Sequence, residues 1–282
     1  MHNAFKQVLA AAGFALACAP MSASAFLQNW KFDPDGSGSA SAFTVNEYLD
    51  YIGNSYIQNS ISGSSFTFSD NGVFVVSGND GTPWVGLNAK PVEITGLLQN
   101  ATGSGTLGGS FTFNPGGTLT LYSHAGFDYG STNGFFGANN GTPFATLSLV
   151  GGGGVVNTSG LPNGNISMIF AFTNLSCGYA FDSLGNDLCT LVPSLPPILF
   201  GFTTTNASYV ANPSTNVKQE VAVELSCGGV ANCGYGTSFN QPPTNFIVSN
   251  NGQFRLIPEP ATLALLGGGL VALGLRRRKA LA

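Results

Sequence analysis

Charge is what this sequence has least of. Asp, Glu, Lys and Arg together make 8% of its 282 residues, and histidine occurs only twice. Beyond residue 25 the single histidine is His124, so a hydrolytic triad or a zinc site would have to be built on that one imidazole. No Gly-x-Ser-x-Gly elbow is present to supply an activated serine. Positive charge is scarcer still: five of the 9 basic residues, Lys6, Arg276, Arg277, Arg278 and Lys279, lie near the termini. Between Phe26 and Glu259 only Lys31, Lys90, Lys218 and Arg255 stand against all 13 acids. Phosphate binding needs several cations to release counterions. No nucleic acid partner is therefore expected, and no attraction of this region to anionic lipid.

Long stretches with helical periodicity are also lacking from Phe26 to Leu256. What fills the chain is 39 Gly, 22 Phe and a hydrophobic share of 43%, with Asn, Ser and Thr where Lys and Glu would usually stand. That is too apolar for a disordered chain. Period-two alternation cut by Gly, Asn, Asp and Pro predicts short strands. Phe66-Thr67-Phe68 and Val73-Phe74-Val75-Val76 read as a hairpin around Asn71-Gly72. Ser110–Phe113 and Thr118–Leu121 read as a second one around Asn114–Gly117. Further strands are expected at Phe144–Leu149, Ile166–Thr173, Ile198–Thr203, Val217–Leu225 and Asn245–Val248, with Gly151–Gly154 as a loop. Val45–Ile52 is the one segment that could make two helical turns. The fold class expected is all-β: an antiparallel β-sandwich or jelly-roll-like barrel with at most one short helix, plus a C-terminal hydrophobic helix.

Residues 1–25 have the form of a secretory signal peptide. Lys6 gives a positive start, Val8–Ala19 an apolar run, and Ala23-Ser24-Ala25 a small-x-small site for signal peptidase. Ala15-Leu16-Ala17-Cys18 loosely resembles a lipobox but lacks the Leu three residues before the Cys. With Cys18 in the leader, Cys177, Cys189, Cys227 and Cys233 remain. An even number in an oxidising compartment predicts two disulfides. Local pairing of Cys177 with Cys189 and Cys227 with Cys233 is favoured, although spacing alone permits two other connectivities.

At the other end, Pro258-Glu259-Pro260 is followed by an apolar run from Ala261 to Leu275 and then by Arg276-Arg277-Arg278-Lys279. Fifteen helical residues span about 22 Å, short of the roughly 30 Å hydrocarbon core. The four cations place this end on the cytoplasmic side. Tripeptide, short Gly-rich helix and basic stop together resemble the PEP-CTERM sorting signal. The resemblance implies processing by exosortase, a membrane transpeptidase of Gram-negative bacteria, and transient residence in the inner membrane before release to the cell surface. It divides the chain into a signal peptide (1–25), a secreted β-rich domain (26–256) and a sorting segment (257–282). An uncut C-terminal anchor is the alternative.

Trp30–Gly36, Val45–Asp50, Ser55–Gln58 and Leu199–Ala207 further resemble flocculation-associated PEP-CTERM proteins. That likeness implies cell aggregation with extracellular polysaccharide and carries over no catalytic residues. On the residues themselves, paired carboxylates could serve glycoside hydrolysis, and the candidates are Glu47/Asp50 and Glu220/Glu224. Glu220 and Glu224 are more simply read as the exposed face of a strand. His124, with Asp128 four residues on, reads as a loop-stabilising pair. Asp33 and Asp35 are a candidate calcium site in a Gly-rich loop. Thr44 stands where an EF-hand needs its bidentate Glu, so a simple Asp-Pro-Asp-Gly turn is favoured there. No other cofactor is expected, and the reading is of a non-enzymatic matrix protein; a carbohydrate-active enzyme and a lectin-like module are the alternatives.

Overall fold

Alternation in the sequence becomes strands in the molecule. The computed structural model describes residues 27–164, 166–192, 199–231, 233 and 239–257. The strands are β1 (Trp30–Phe32), β2 (Phe43–Val45), β3 (Leu49–Ser62), β4 (Ser65–Asn79), β5 (Thr82–Pro83), β6 (Glu93–Thr106) and β7 (Ser110–Phe113). They continue with β8 (Thr118–His124), β9 (Thr142–Val155), β10 (Ile166–Leu175), β11 (Ala180–Phe181), β12 (Leu199–Tyr209) and β13 (Asn245–Ile257).

Each long strand pairs antiparallel with the next one along the chain, β3 with β4, β4 with β6, β9 with β10, β10 with β12 and β12 with β13. Strands β7 and β8 both bridge β6 to β9 and share one place in the wall. The pairing of β13 with β3 then closes the ring. The all-β antiparallel expectation holds, and the connections are those of an up-and-down barrel with eight wall positions. A barrel of that size has an interior just wide enough for side chains to fill. Tyr51, Phe74, Leu98, Leu119, Leu147, Phe170 and Phe254 are among the side chains that fill it. One end is capped by the small sheet β11-β1-β2. Its Trp30 and Phe32 pack on Leu49, Phe144 and Leu256 around a small apolar cavity.

Five local expectations are corrected. Neither predicted hairpin exists. β4 runs unbroken through Asp70-Asn71-Gly72, because Asp70 and Gly72 continue the inward alternation of Phe66, Phe68 and Phe74. The turn lies earlier, at Gly63-Ser64, where Gly63 supplies a φ of +62°. β7 and β8 run in the same direction, both antiparallel to β6, so Asn114–Gly117 interrupts a strand without reversing it. The four glycines 151–154 belong to β9 and form no loop. A Cβ at Gly152 would collide with the Ser167 carbonyl oxygen and one at Gly153 with that of Phe111, so only glycine lets the neighbouring backbones approach here.

Val217–Leu225, expected as a strand, is a π-helix. Its Val217, Val221 and Ala222 cover Tyr56, Val73, Leu97 and Ile247 on the outer face of the barrel. A second apolar layer thus lies outside the wall, which a strand in that position could not bury. Val45–Ile52 is extended on both sides of a bend and not helical. The carboxylate of Asp80 accepts the N–H groups of Asn46, Glu47 and Tyr48 at that bend, doing what an intrahelical ladder would otherwise do.

Candidate functional site

A patch of hydroxyls lies near the end of the barrel opposite the cap. Outward-facing positions of β3, β4, β6 and β7 are Ser and Thr in register. Ser60 lies opposite Thr67, Thr67 opposite Ser104, and Ser104 opposite Thr112. A second row runs from Ser62 to Ser65 to Thr106. All seven are exposed. Strand geometry spaces such hydroxyls by about 4.8 Å between strands and about 6.8 Å along a strand. Ser60, Ser62, Ser65, Thr67, Ser104 and Thr106, with Phe66 and Gly105, line a groove of about 490 Å³ that contains no charged side chain. The residues were present in the sequence as Ser-Phe-Thr-Phe and its neighbours, but only the register brings them together.

A second cluster forms around His124. In the β6–β8 ladder, Glu93 is the direct partner of His124. With Asp128 they place ligand-type atoms all within 4.8 Å of one another. His124 Nδ1 lies 3.3 Å from Asp128 Oδ1 and accepts the N–H of Gly126 at 3.3 Å. Glu93 Oε2 accepts the N–H groups of Asp128 and Tyr129 at 3.2 and 3.1 Å. Burial pushes the Glu93 carboxyl up, and those two N–H donors only partly offset it. For Asp128 burial also acts upward, but the amides of Asn133 and Asn140 and the nearby His124 outweigh it and leave its pKa lowered. Two adjacent carboxyls are therefore driven apart in acidity. The sequence paired His124 with Asp128 but missed Glu93, 35 positions before Asp128, because cross-strand register has no signature in local spacing.

The remaining candidates are placed as follows. Asp33 is buried, and its Oδ2 accepts from Gly38 N, Ser37 Oγ and Ser41 Oγ at 2.6–3.0 Å, so this oxygen is the hub of the turn. Asp35 Oδ1 accepts the N–H of Ser37 at 2.9 Å. Glu47 pairs with Arg255 at 3.4 Å, while Asp50 turns to the N–H of Gly81, so the two carboxylates are engaged separately. Glu220 and Glu224 lie on the helix and not on a strand face. Glu220 is buried and Glu224 exposed, and burial followed by the charge of Glu224 raises the Glu220 pKa. Cys177 is bonded to Cys189 and Cys227 to Cys233, with Cα atoms 5.0 and 5.1 Å apart. The first staples the loop after β10. The second holds the end of the helix.

Among the described residues no helix is long and apolar enough to cross a membrane. The expected signal peptide, the Pro258-Glu259-Pro260 tripeptide, the apolar run and Arg276–Lys279 lie outside the described residues. The closing strand β13 ends at Ile257, immediately before Pro258. No curated protein and no solved structure matches the chain. Residues 256–279 match the PEP-CTERM protein-sorting motif, so the motif begins on the last strand of the barrel and marks the chain as an exported protein targeted to exosortase.

Proposed function

We propose that this chain is an exosortase-processed surface or matrix protein that promotes cell aggregation by holding exopolysaccharide against the hydroxyl face of its barrel. The observation that carries this reading is the uncharged groove lined by Ser60, Ser62, Ser65, Thr67, Ser104 and Thr106. Sugars present hydroxyls that both donate and accept, and each Ser or Thr can answer as either. An uncharged face also lets an acidic domain meet an acidic polysaccharide without like-charge repulsion.

The test is deletion of the gene in a flocculating host, with return of either the wild type or a Thr67→Glu/Ser104→Glu variant whose folding is verified by circular dichroism. Deletion is expected to disperse the cells, and only the wild type is expected to restore flocs. Unchanged flocs on deletion would sink the aggregation role. Full rescue by the double variant would sink the groove.

A second reading is favoured by the acidity split between Glu93 and Asp128. In a secreted carbohydrate-active enzyme the first would act as acid and the second as base or nucleophile. Release of reducing ends from polysaccharide, abolished by Glu93→Gln, would support it; no release by the wild type would remove it.

A further inference from the structure

The lumen of the barrel carries a polar belt that neither the sorting motif nor the hydroxyl face uses. Asp70, on the inward face of β4, is 6% exposed, and Asn59, on the inward face of β3, is 2% exposed. Both line one cavity in the half of the barrel away from the cap, among Phe66, Phe68, Phe111 and Phe113. Asn250 Nδ2 donates to Ser55 Oγ at 3.1 Å, and Ser55 in turn is hydrogen-bonded to the Asp70 carboxyl. Asn59 donates through Nδ2 to the Pro243 carbonyl at 2.6 Å. These bonds fix both side chains and leave one oxygen of each, Asp70 Oδ1 and Asn59 Oδ1, buried without a partner.

The chemistry of this pair specifies its complement. With the Asp70 carboxyl ionised both orphaned atoms are acceptors, and no Lys, Arg or His lines the cavity. An unpartnered buried acceptor costs on the order of 1–3 kcal/mol, and more when charged. In the β3–β4 ladder Asp70 lies opposite Ile57, and Asn59 lies opposite Phe68. That makes Asp70 and Asn59 diagonal neighbours, about 7–8 Å apart at the backbone, on one wall of the same cavity. Phe68, Phe111 and Phe113 all line it, and Phe68 meets the other two edge-on at centroid distances of 5.5 and 5.2 Å. Aromatic faces attract cations. The cavity measures about 30 Å³, where one water requires about 10–15 Å³. An occupant can therefore have two or three heavy atoms at most.

We propose that the upper lumen is a binding site for a small ammonium group, ammonium itself or methylammonium, held by N–H donation to Asp70 Oδ1 and Asn59 Oδ1 within the phenylalanine cage. Titration of the purified protein with nitrogen-15 ammonium at about pH 8, where the carboxyl is ionised, reads this directly. Bound ammonium is expected to give a slowly exchanging proton–nitrogen signal, and methylammonium chloride to raise the thermal midpoint above that in equal sodium chloride. Tetramethylammonium, which has no N–H and is larger than the cavity, should have no effect. Asp70→Asn and Asn59→Ala should each weaken binding about tenfold or more, as loss of a charge-assisted contact implies. Thr102→Ala, on the outer face of β6 and outside the hydroxyl groove, should leave it unchanged. A response to methylammonium no greater than to sodium, or one equal to that of tetramethylammonium, would overturn the proposal without reliance on any variant. So would undiminished affinity in folded Asp70→Asn, or a crystal grown in methylammonium with only water on the two oxygens.

Discussion

Replacing Asp70 by Asn should make the barrel more stable at neutral and alkaline pH and remove a specific pH dependence. Asp70 is buried, and desolvation pushes its pKa from 3.8 up to about 7, the hydrogen bond from Ser55 only partly opposing it. An acid whose folded pKa lies above its unfolded value holds more protons folded than unfolded in the interval between them. Stability therefore falls as pH rises from about 4 to about 7 and is level above that. A gap of roughly three pH units, at about 1.4 kcal/mol each, amounts to about 4 kcal/mol. A domain of this size moves by about 2–4 °C per kcal/mol, so the wild type should melt about 10 °C lower at pH 8 than at pH 4 on account of this group alone. Asn has similar shape and no charge, so the variant should match the wild type near pH 4 and exceed it near pH 8. Thermal melts followed by near-ultraviolet circular dichroism across that range measure the difference. Parallel profiles for the two proteins would refute the assignment of a strained, ionisable carboxyl to the lumen.

Other perturbations test separate parts of the structure. Gly103→Ala should cost about 1–3 kcal/mol by overpacking, because its Cβ would collide with the Thr112 carbonyl oxygen and the Phe68 ring; unchanged melting would count against that contact. Removing the Cys177–Cys189 bond, whose partners are 12 residues apart, should cost about 3 kcal/mol by chain entropy, readable in urea melts of the double Ser variant. Asp80→Ala takes the acceptor from three N–H groups at the bend before β3 and should cost about 2 kcal/mol. Burial raises the Asp80 pKa, but those donors and Asn79 outweigh it and leave it lowered. Its contribution is thus present above the usual carboxylate range and lost as pH falls through the depressed value, so the variant's acid unfolding limb should be shallower. Mass spectrometry of the extracellular protein should find Arg276–Lys279 absent; their presence would argue against exosortase processing.

Composition and local order determined a good deal by themselves. An apolar, weakly charged chain with period-two alternation had to be a β protein, and the strands at Phe144–Leu149, Ile166–Thr173 and Asn245–Val248 were legible as such. The sorting segment was legible too, because tripeptide, apolar run and cations act through their order along the chain. What the sequence left undecided depends on which strands become neighbours. Asp70-Asn71-Gly72 has the chemistry of a turn, yet burial of Phe66, Phe68 and Phe74 on one face carries the strand straight through it. Val217–Leu225 alternates well enough for a strand, but the apolar outer face of Tyr56, Val73, Leu97 and Ile247 requires a cover, and a helix provides it. The hydroxyl rows, the meeting of Glu93 with His124 and the diagonal placement of Asn59 and Asp70 on β3 and β4 are all products of register. Register is set by closure of the barrel, and closure is a property of the whole chain.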